Sequence, residues 1–474
     1  MNLQRVWGSL ALSNYFSDLY GAKRNKSVIQ FRHVCNAVQQ AVMQEITSEH
    51  EDSDYGTEAQ MGALLGKPDS VRYFSSKIAR YLKEHNISNV EFPSCYRTLI
   101  EAVYHEVWGY SVLAEWFSLP DCQSAKVIGD NVYYLRSGRM MRQPHTIPHA
   151  RREQLKNNLL LNTPEKMRNA DHVEMNLVTG ERITIFDNKF TKPGYDVIVL
   201  RKYIVKNFTW EEQARLGTIH SESVKLMKSF CQVGFNVIFT GAVRSGKTTM
   251  LETWQSYEDP ALEGCAIEMT DEIKFDRLLP GSPIMQLLVK EDNIDGISMP
   301  VLRSDADYLI LAEARRGEEF DLMVRLANKG TNRCKTTLHT TDVSELIYAI
   351  ADEILAVRPN AQYDATLMKV AKAYHYVIQL AQLYHDKSSK RVIGIYEICA
   401  DRTKGIIEMY QICRYDYQKD KWQWAFHIGN DKYGIALREN AAAFEGFKNE
   451  LKSLASQYGM EGDIRSQIFG GEQS

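Results

Sequence analysis

The sequence predicts an α/β chain: a phosphate-loop domain preceded by a small α+β sheet domain and an N-terminal helical region. Three observations carry it. Gly241-Ala242-Val243-Arg244-Ser245-Gly246-Lys247-Thr248-Thr249 satisfies the pattern G-x-x-x-x-G-K-[ST]. Asn236-Val-Ile-Phe-Thr240 before it reads as a short buried strand, and Thr248-Thr-Met-Leu-Glu-Thr-Trp254 after it as the opening turns of a helix. Further apolar strands follow, each ending in residues with a chemical use. The expected division is 1–120 helical, 121–205 sheet domain, 206–430 phosphate-loop domain with C-terminal strands, and 431–474 a C-terminal helix and tail.

Composition narrows the class. At 474 residues the chain is long enough for several domains with cores of their own. A formal net charge of −3 argues against coating nucleic acid through bulk charge, although local basic patches stay open. No run approaches the roughly 18 apolar residues of a membrane span. Met1 to Leu12 is a short apolar stretch without a cleavage site, which reads as part of a helix and not an export signal; a cytoplasmic protein is expected. Eight cysteines scattered from Cys35 to Cys413 form no C-x-x-C pair, which argues against a zinc ribbon or a disulfide framework and for buried thiols.

In chain order, Ser27 to Met43 places Val28, Phe31, Val34, Val38 and Val42 near one helical face. A polar interval, Thr47 to Gly56, interrupts, and Val71 to His85 resumes with Phe74, Ile78 and Tyr81 on one side. From about 121 the texture turns to strands: a pair over Lys126 to Arg139, a hairpin over Asp171 to Ile185 turned at Thr179-Gly180, and a strand over Tyr195 to Tyr203. Thr209-Trp-Glu-Glu212 offers a helix start, and Ser221 to Gln232 a helix with Gly234 as its stop. Beyond the loop domain's first strands come helices over Ser344 to Leu355 and around Asp364 to Ala373, then a hairpin of Tyr376 to Leu383 and Arg391 to Ile398. Strands over Ile406 to Tyr417 and Trp422 to Ile428 follow. Phe444, Phe447, Leu451, Leu454 and Tyr458 form a last apolar stripe, read as core or subunit contact, before a frayed tail from Gly470.

The phosphate loop brings its own chemistry. Backbone N–H groups of a tight turn wrap phosphates, the helix N-terminus adds its positive end, Lys247 reaches the outer phosphates and Thr248 ligates Mg²⁺. A nucleoside triphosphate is the expected ligand. Of the later strands, Cys265-Ala-Ile-Glu268-Met-Thr-Asp271-Glu272 clusters carboxylates at its C-terminal end, where open α/β sheets bind ligands. Asp307 to Gly317 delivers Glu313, and Lys335 to Asp342 delivers His339. A Mg²⁺-bound triphosphate needs a carboxylate to orient the attacking water and a polar group to sense the γ-phosphate. Glu313 is the candidate for the first role and His339 for the second; Glu272 and Glu313 join Thr248 as candidate metal ligands.

The ordered boxes make residues 126–430 resemble the ATPases of the type II/type IV secretion superfamily, within it the branch powering conjugative secretion and Tad-like pilus assembly. The acidic box is Ile267-Glu268-Met269-Thr270-Asp271-Glu272-Ile273, the Walker B region runs from Leu302-Arg303 to Ala312-Glu313-Ala314-Arg315, and the histidine box is Thr336-Thr337-Leu338-His339. Gly180-Glu-Arg182 and Leu200-Arg201-Lys202 resemble the sheet domain that precedes the motor. The resemblance implies a RecA-like motor in a hexameric ring, ATP and Mg²⁺ as cofactors, and nucleotide between sheet domain and motor. It also implies that Glu268 lines the nucleotide site and that some of Arg182, Arg201, Arg303 and Arg315 bind the γ-phosphate, in cis or from a neighbouring subunit. Inner-membrane platform proteins are the implied partners.

The chain departs from the family pattern at Ala242 and Arg244, where glycine is usual, at Met269 for aspartate, at Ala306 for proline and at Ala312 for glycine. Arg244 matters most: glycine there can adopt φ > 0 and let the backbone approach phosphate, whereas Arg244 must find an allowed conformation or bend the loop, and its charge can offset that near the phosphates. Three functions compete: a secretion or pilus-assembly motor, which leads; a nucleic-acid translocase, which needs basic loops, with Lys290 to Asp295 and Lys329 to Lys335 as the possible loops and only the second of them basic; and a nucleotide-binding scaffold with little turnover.

Overall fold

A computed structural model describes residues 26–49, 62–63, 66–161, 172–177, 180–186, 190–202, 208–269, 271–289 and 294–470. The expected N-terminal helix at Met1 to Leu12 and the tail after Gly470 lie outside them. The chain divides into two compact units, Met1–Ile204 and Val205–Ser474.

The first unit carries helices α1 (Lys26–Glu49), α2 (Pro68–Glu84), α3 (Leu99–Val107) and α4 (Ala114–Ser118). Strands β1 (Ser124–Ile128), β2 (Asn131–Arg136) and β3 (Arg139–Thr146) follow, then α5 (His149–Leu161), β4 (His172–Asn176), β5 (Arg182–Phe186) and β6 (Val197–Arg201). The six strands form an antiparallel sheet in the order β3-β2-β1-β6-β5-β4. The apolar helical faces, through Phe31, Val38, Phe74, Ile78 and Trp116, and the inward strand residues Val127, Ile183, Ile198 and Leu200 share one hydrophobic cluster. Helices and sheet therefore bury each other's apolar faces. A polar knot sits in this unit: the guanidinium of fully buried Arg152 donates to Asp196 at 2.8 and 3.1 Å, to Asp130 and to Ile147 O. These carboxylate partners lie 22 and 44 residues from Arg152 along the chain.

The second unit opens with α6 (Trp210–Arg215), whose Thr209/Glu212 capping box satisfies its first N–H groups, and α7 (Val224–Val233), which ends on left-handed Gly234. Then come β7 (Val237–Gly241), α8 (Lys247–Gln255), β8 (Gly264–Glu268), α9 (Phe275–Leu278), β9 (Ile284–Leu288), α10 (Ile294–Val301), β10 (Tyr308–Leu311), α11 (Gly317–Asn328) and β11 (Lys335–Leu338). The unit closes with α12 (Leu346–Val357), α13 (Tyr363–Ala373), β12 (Tyr376–Gln382), β13 (Lys390–Asp401), β14 (Ile406–Asp416), β15 (Lys421–Trp424), α14 (Asn430–Gln457) and β16 (Arg465–Phe469).

Its sheet runs β15-β14-β13-β12-β7-β11-β10-β8-β9, with β16 on β14. Strands β9, β8, β10, β11, β7 and β12 are parallel; β13, β14 and β15 continue as antiparallel hairpins. The central strands β7, β8 and β10 are buried at every position, as two-sided coverage by helices requires. The stripe expected near the C-terminus is core: Phe444, Phe447, Leu451 and Leu454 of α14 are buried with Phe230 and Phe235, Phe447 stacking on Phe230 at 4.6 Å. Some expectations need correction. The strand expected over Trp422 to Ile428 ends at Trp424, and β3, β9 and β16 form strands where none was expected.

Candidate nucleotide site

Four adjacent parallel strands, β7, β11, β10 and β8, end in the phosphate loop, His339, Glu313 and Glu268 respectively. The parallel register alone brings chemistry scattered over about a hundred residues to one sheet edge. Local bonds fix the spacing. Thr240 Oγ1 donates to Thr340 O at 2.8 Å, tying β7 to the loop of His339, and Thr337 Oγ1 donates to Ala312 O at 2.7 Å, tying β11 to the residue before Glu313. Buried Glu319, near the start of α11, accepts the Arg315 N–H at 2.5 Å and so sets the turn that follows Glu313.

Within the loop, Gly241 and Gly246 have φ of +143° and +97°. A side chain at Gly241 would bring its Cβ to 2.1 Å from Leu380 O, so only glycine fits. Ala242, Val243 and Arg244 form the exposed apex, while Ser245 and Lys247 are buried. Arg244 takes the left-handed conformation, φ +67°. The loop therefore keeps its path, and arginine bears the strain that glycine would avoid.

The Lys247 ammonium donates to Gly241 O and Ala242 O, both at 3.0 Å, and approaches His339 Nδ1 at 3.1 Å. On the far side of the ring, His339 Nε2 lies 2.6 Å from Glu313 Oε1, and Arg315 donates to Glu313 Oε2 at 2.6 Å. An ammonium has only protons to offer, so Nδ1 is the acceptor at that contact. Burial would raise the Glu313 pKa, but the His339 and Arg315 contacts outweigh it and hold the carboxyl at about 2. Burial pushes Lys247 down to about 8, against the pull of Glu313 and Glu272.

The acidic box divides its labour. Glu268 is buried, and its Oε2 accepts the backbone N–H groups of Glu272 and Ile273 at 2.9 and 2.8 Å, shaping the turn that presents Glu272. Glu252 of α8 joins the site although the sequence did not single it out. Burial, then Glu268 and Glu272, raise its carboxyl to about 8, and Glu268 itself, raised mainly by burial, stands at about 7. Its signal was its place one turn after Thr248, on the helix that starts at the loop.

The donor set suits a Mg²⁺-bound triphosphate. Ser245 Oγ is fully buried with no hydrogen-bond partner, and the Lys247 ammonium rests on carbonyls of its own loop, whose place phosphate oxygens can take.

The arginines are dispersed. Arg315 contacts Glu313, and Arg303 is exposed on the turn between α10 and β10. Arg182 and Arg201 belong to the first unit, where they oppose each other across β5 and β6; Arg182 also donates to Glu174 at 2.6 Å. The candidate basic loop Lys329 to Lys335 needs correction. Lys335 is fully buried against Glu258, and Arg333 is buried and faces Glu439, so both charges turn inward to acidic partners. Most of the other candidate loop, 290–293, lies outside the described residues.

All eight cysteines are free; Cys95 and Cys399 are half-buried and the rest buried. Among the described residues no helix is long and apolar enough to cross a membrane.

The family of type II/IV secretion system proteins matches residues 190–412. An uncharacterized protein of Methanocaldococcus jannaschii is 24% identical over 311 residues, 63% of this chain and 53% of its own length. The competence protein ComGA of Bacillus subtilis is 30% identical over 121 residues, 24% of this chain and 32% of its own. The chain thus spans about half the length of one of these relatives and a third of the other. Among solved structures, the ATPase DotB of Yersinia pseudotuberculosis aligns over 78% of this chain and 89% of its own at 15% identity, with a TM-score of 0.47.

Proposed function

We propose that the chain, whose residues 190–412 match the family of type II/IV secretion system proteins, is a Mg²⁺-dependent ATPase motor of that family. Its work is to energise a type IV secretion, conjugation or Tad-like pilus assembly machine. The observation that carries the reading is the contiguous run Lys247, His339, Glu313 across three neighbouring strand ends.

In this reading Lys247 leaves the Gly241 and Ala242 carbonyls for the outer phosphates, and Ser245 and the loop N–H groups hold the others. Thr248, Glu272 and Glu313 are the residues to hold Mg²⁺, which when bound neutralises charge on the phosphates. Glu313, ionised down to about pH 2, is a weak base, so it orients the attacking water and takes its proton only late in the reaction. His339 loses Lys247 as a partner and turns to the γ-phosphate, which makes its contact with Glu313 dependent on the nucleotide state. Copies of the chain form a ring, a hexamer, on the cytoplasmic face of a membrane against platform proteins. Arginines of the first unit or of a neighbouring subunit complete the γ-phosphate site.

The test is phosphate release by the full chain with ATP and Mg²⁺. Lys247→Ala and Glu313→Gln are each expected to lower turnover at least ~100-fold, the first with loss of ATP binding and the second without it. Undiminished turnover by Glu313→Gln removes Glu313 from the reaction. Tight ATP binding without phosphate release by the assembled wild type favours a scaffold, and stimulation by DNA favours a translocase.

A further inference from the structure

We propose that Lys390, at the start of β13, is a further ligand of the nucleotide phosphates and acts as a pair with Arg244 on the rim of the phosphate loop. The proposal rests on the reading that this loop takes a nucleoside polyphosphate.

Topology delivers Lys390 to the loop. Strand β12 runs parallel to β7 with Leu380 opposite Gly241, so its hairpin turn rises at the same edge as the loop. Strand β13 returns with Lys390 opposite Gln382. The Lys390 stem then covers the last loop glycine: its Cγ lies 3.7 Å from where a Cβ on Gly246 would be. The turn is braced and holds this position. Leu383 N donates to Ser389 O at 3.0 Å, and Asp386 accepts from Ser388 N at 2.9 Å, Ser388 Oγ at 2.5 Å and Ser389 Oγ at 2.6 Å.

Charge on this rim is arranged for an anion. The Lys390 ammonium is half-buried and donates to Lys387 O at 2.6 Å, a neutral acceptor. Asp386, which attracts it, spends its oxygens on the turn. Burial lowers Lys390 to about 8 against the pull of Asp386, with smaller repulsion from Arg244 and Lys387 in the same direction as burial. A phosphate oxygen in place of the Lys387 carbonyl gives the ammonium a charged acceptor, and relieves its repulsion with Arg244. The left-handed backbone of Arg244 places a second cation on the exposed apex of the same loop. Arginine at a glycine position thus acquires a purpose, since with Lys390 it adds positive charge for the phosphate chain on the rim of the loop.

Calorimetric titration of the full chain with MgADP, MgATP and AMP tests this, with thermal melts to verify folding. Lys390→Gln is expected to weaken ADP and ATP about 10-fold and AMP less than ~2-fold, since the lost contact is to the outer phosphates. Lys390→Arg, which keeps the charge, stays within ~3-fold of wild type. In the cycle with Arg244→Gly the two losses are expected to be non-additive. ADP affinity unchanged in Lys390→Gln, while Lys247→Ala abolishes it, overturns the Lys390 assignment and leaves the nucleotide reading standing. A wild-type chain that binds none of the three overturns both. Should Lys390→Gln fail to fold, a Lys390→Arg protein that folds but loses ADP as Lys247→Ala does counts against the pair.

Discussion

Single residues of the site work under opposed demands. Arg244 sits in a backbone region that costs a non-glycine residue of order 1 kcal/mol or more, and it persists because the flanking strand and helix hold the loop. Glu252 shows the same tension in charge. Its folded carboxyl is raised to about 8, first by burial and then by Glu268 and Glu272, against 4.5 in the unfolded chain. Between those two values the folded state binds the proton that the unfolded state has released. Stability therefore falls as pH rises from about 4.5 to about 8 and levels off above, where both states are ionised. Glu252→Gln has no proton to lose. In Mg²⁺-free buffer the variant is expected to melt close to wild type near pH 5 and above it at pH 9. A gap between the two Tm values that stays constant across this range would show that Glu252 is not held protonated.

Elements, not residues, keep the site in register, and one buried cluster at the far end of α8 does much of it. Lys335, the first residue of β11, donates to Glu258 at 2.7 Å, and Trp254 of α8 donates to the same carboxylate oxygen at 3.2 Å. Gln255 donates to the Tyr308 hydroxyl at 3.1 Å, and Lys335 lies over the Tyr308 ring. Helix α8 and strands β10 and β11 are thus pinned at the end opposite Lys247, Glu313 and His339. Both charges of the Lys335–Glu258 pair are at most 1% exposed, so removing one strands the other. Lys335→Met is expected to cost about 3–5 kcal/mol in chemical denaturation, and adding Glu258→Leu to recover much of it. Full stability in the single variant would mean that water reaches Glu258. Strand, loop and helix are legible here in the sequence because local pattern specifies each, and Glu313 because it lies just past a buried apolar strand, whereas His339 follows the polar run Lys335-Thr-Thr-Leu338 and is marked by its place in the order of the boxes. Lys335 passes for loop charge, since a lysine paired 77 residues away leaves no local sign. Strand β9 is a different case: Ile284-Met285-Gln286-Leu287-Leu288 is as apolar as β7 yet lies largely exposed at the sheet edge, so apolar content alone does not tell its place. Lys390 reads only as part of a turn, because its closeness to Gly246 exists only once β12 pairs with β7.

On the scale of the molecule, two compact units hold separate hydrophobic clusters, the first built from helices and an antiparallel sheet and the second around the parallel sheet. Each buries its own apolar surface, so the second should fold without the first. What it would then lack is Arg182 and Arg201. The two stand opposed across β5 and β6, with Arg182 donating to Glu174. If these arginines complete the γ-phosphate site of a ring, their loss weakens the transition state far more than it weakens binding of the diphosphate. A protein comprising Val205–Ser474 is therefore expected to melt cooperatively and to bind ADP within a few-fold of the full chain. Its ATP turnover is expected to fall at least ~10-fold, and the full-length Arg182→Ala/Arg201→Ala variant to show the same split between ADP binding and turnover. Equal turnover by the isolated unit and the full chain, measured at matched protein concentration, would leave the first unit no part in hydrolysis and return the search for γ-phosphate arginines to Arg303 and Arg315.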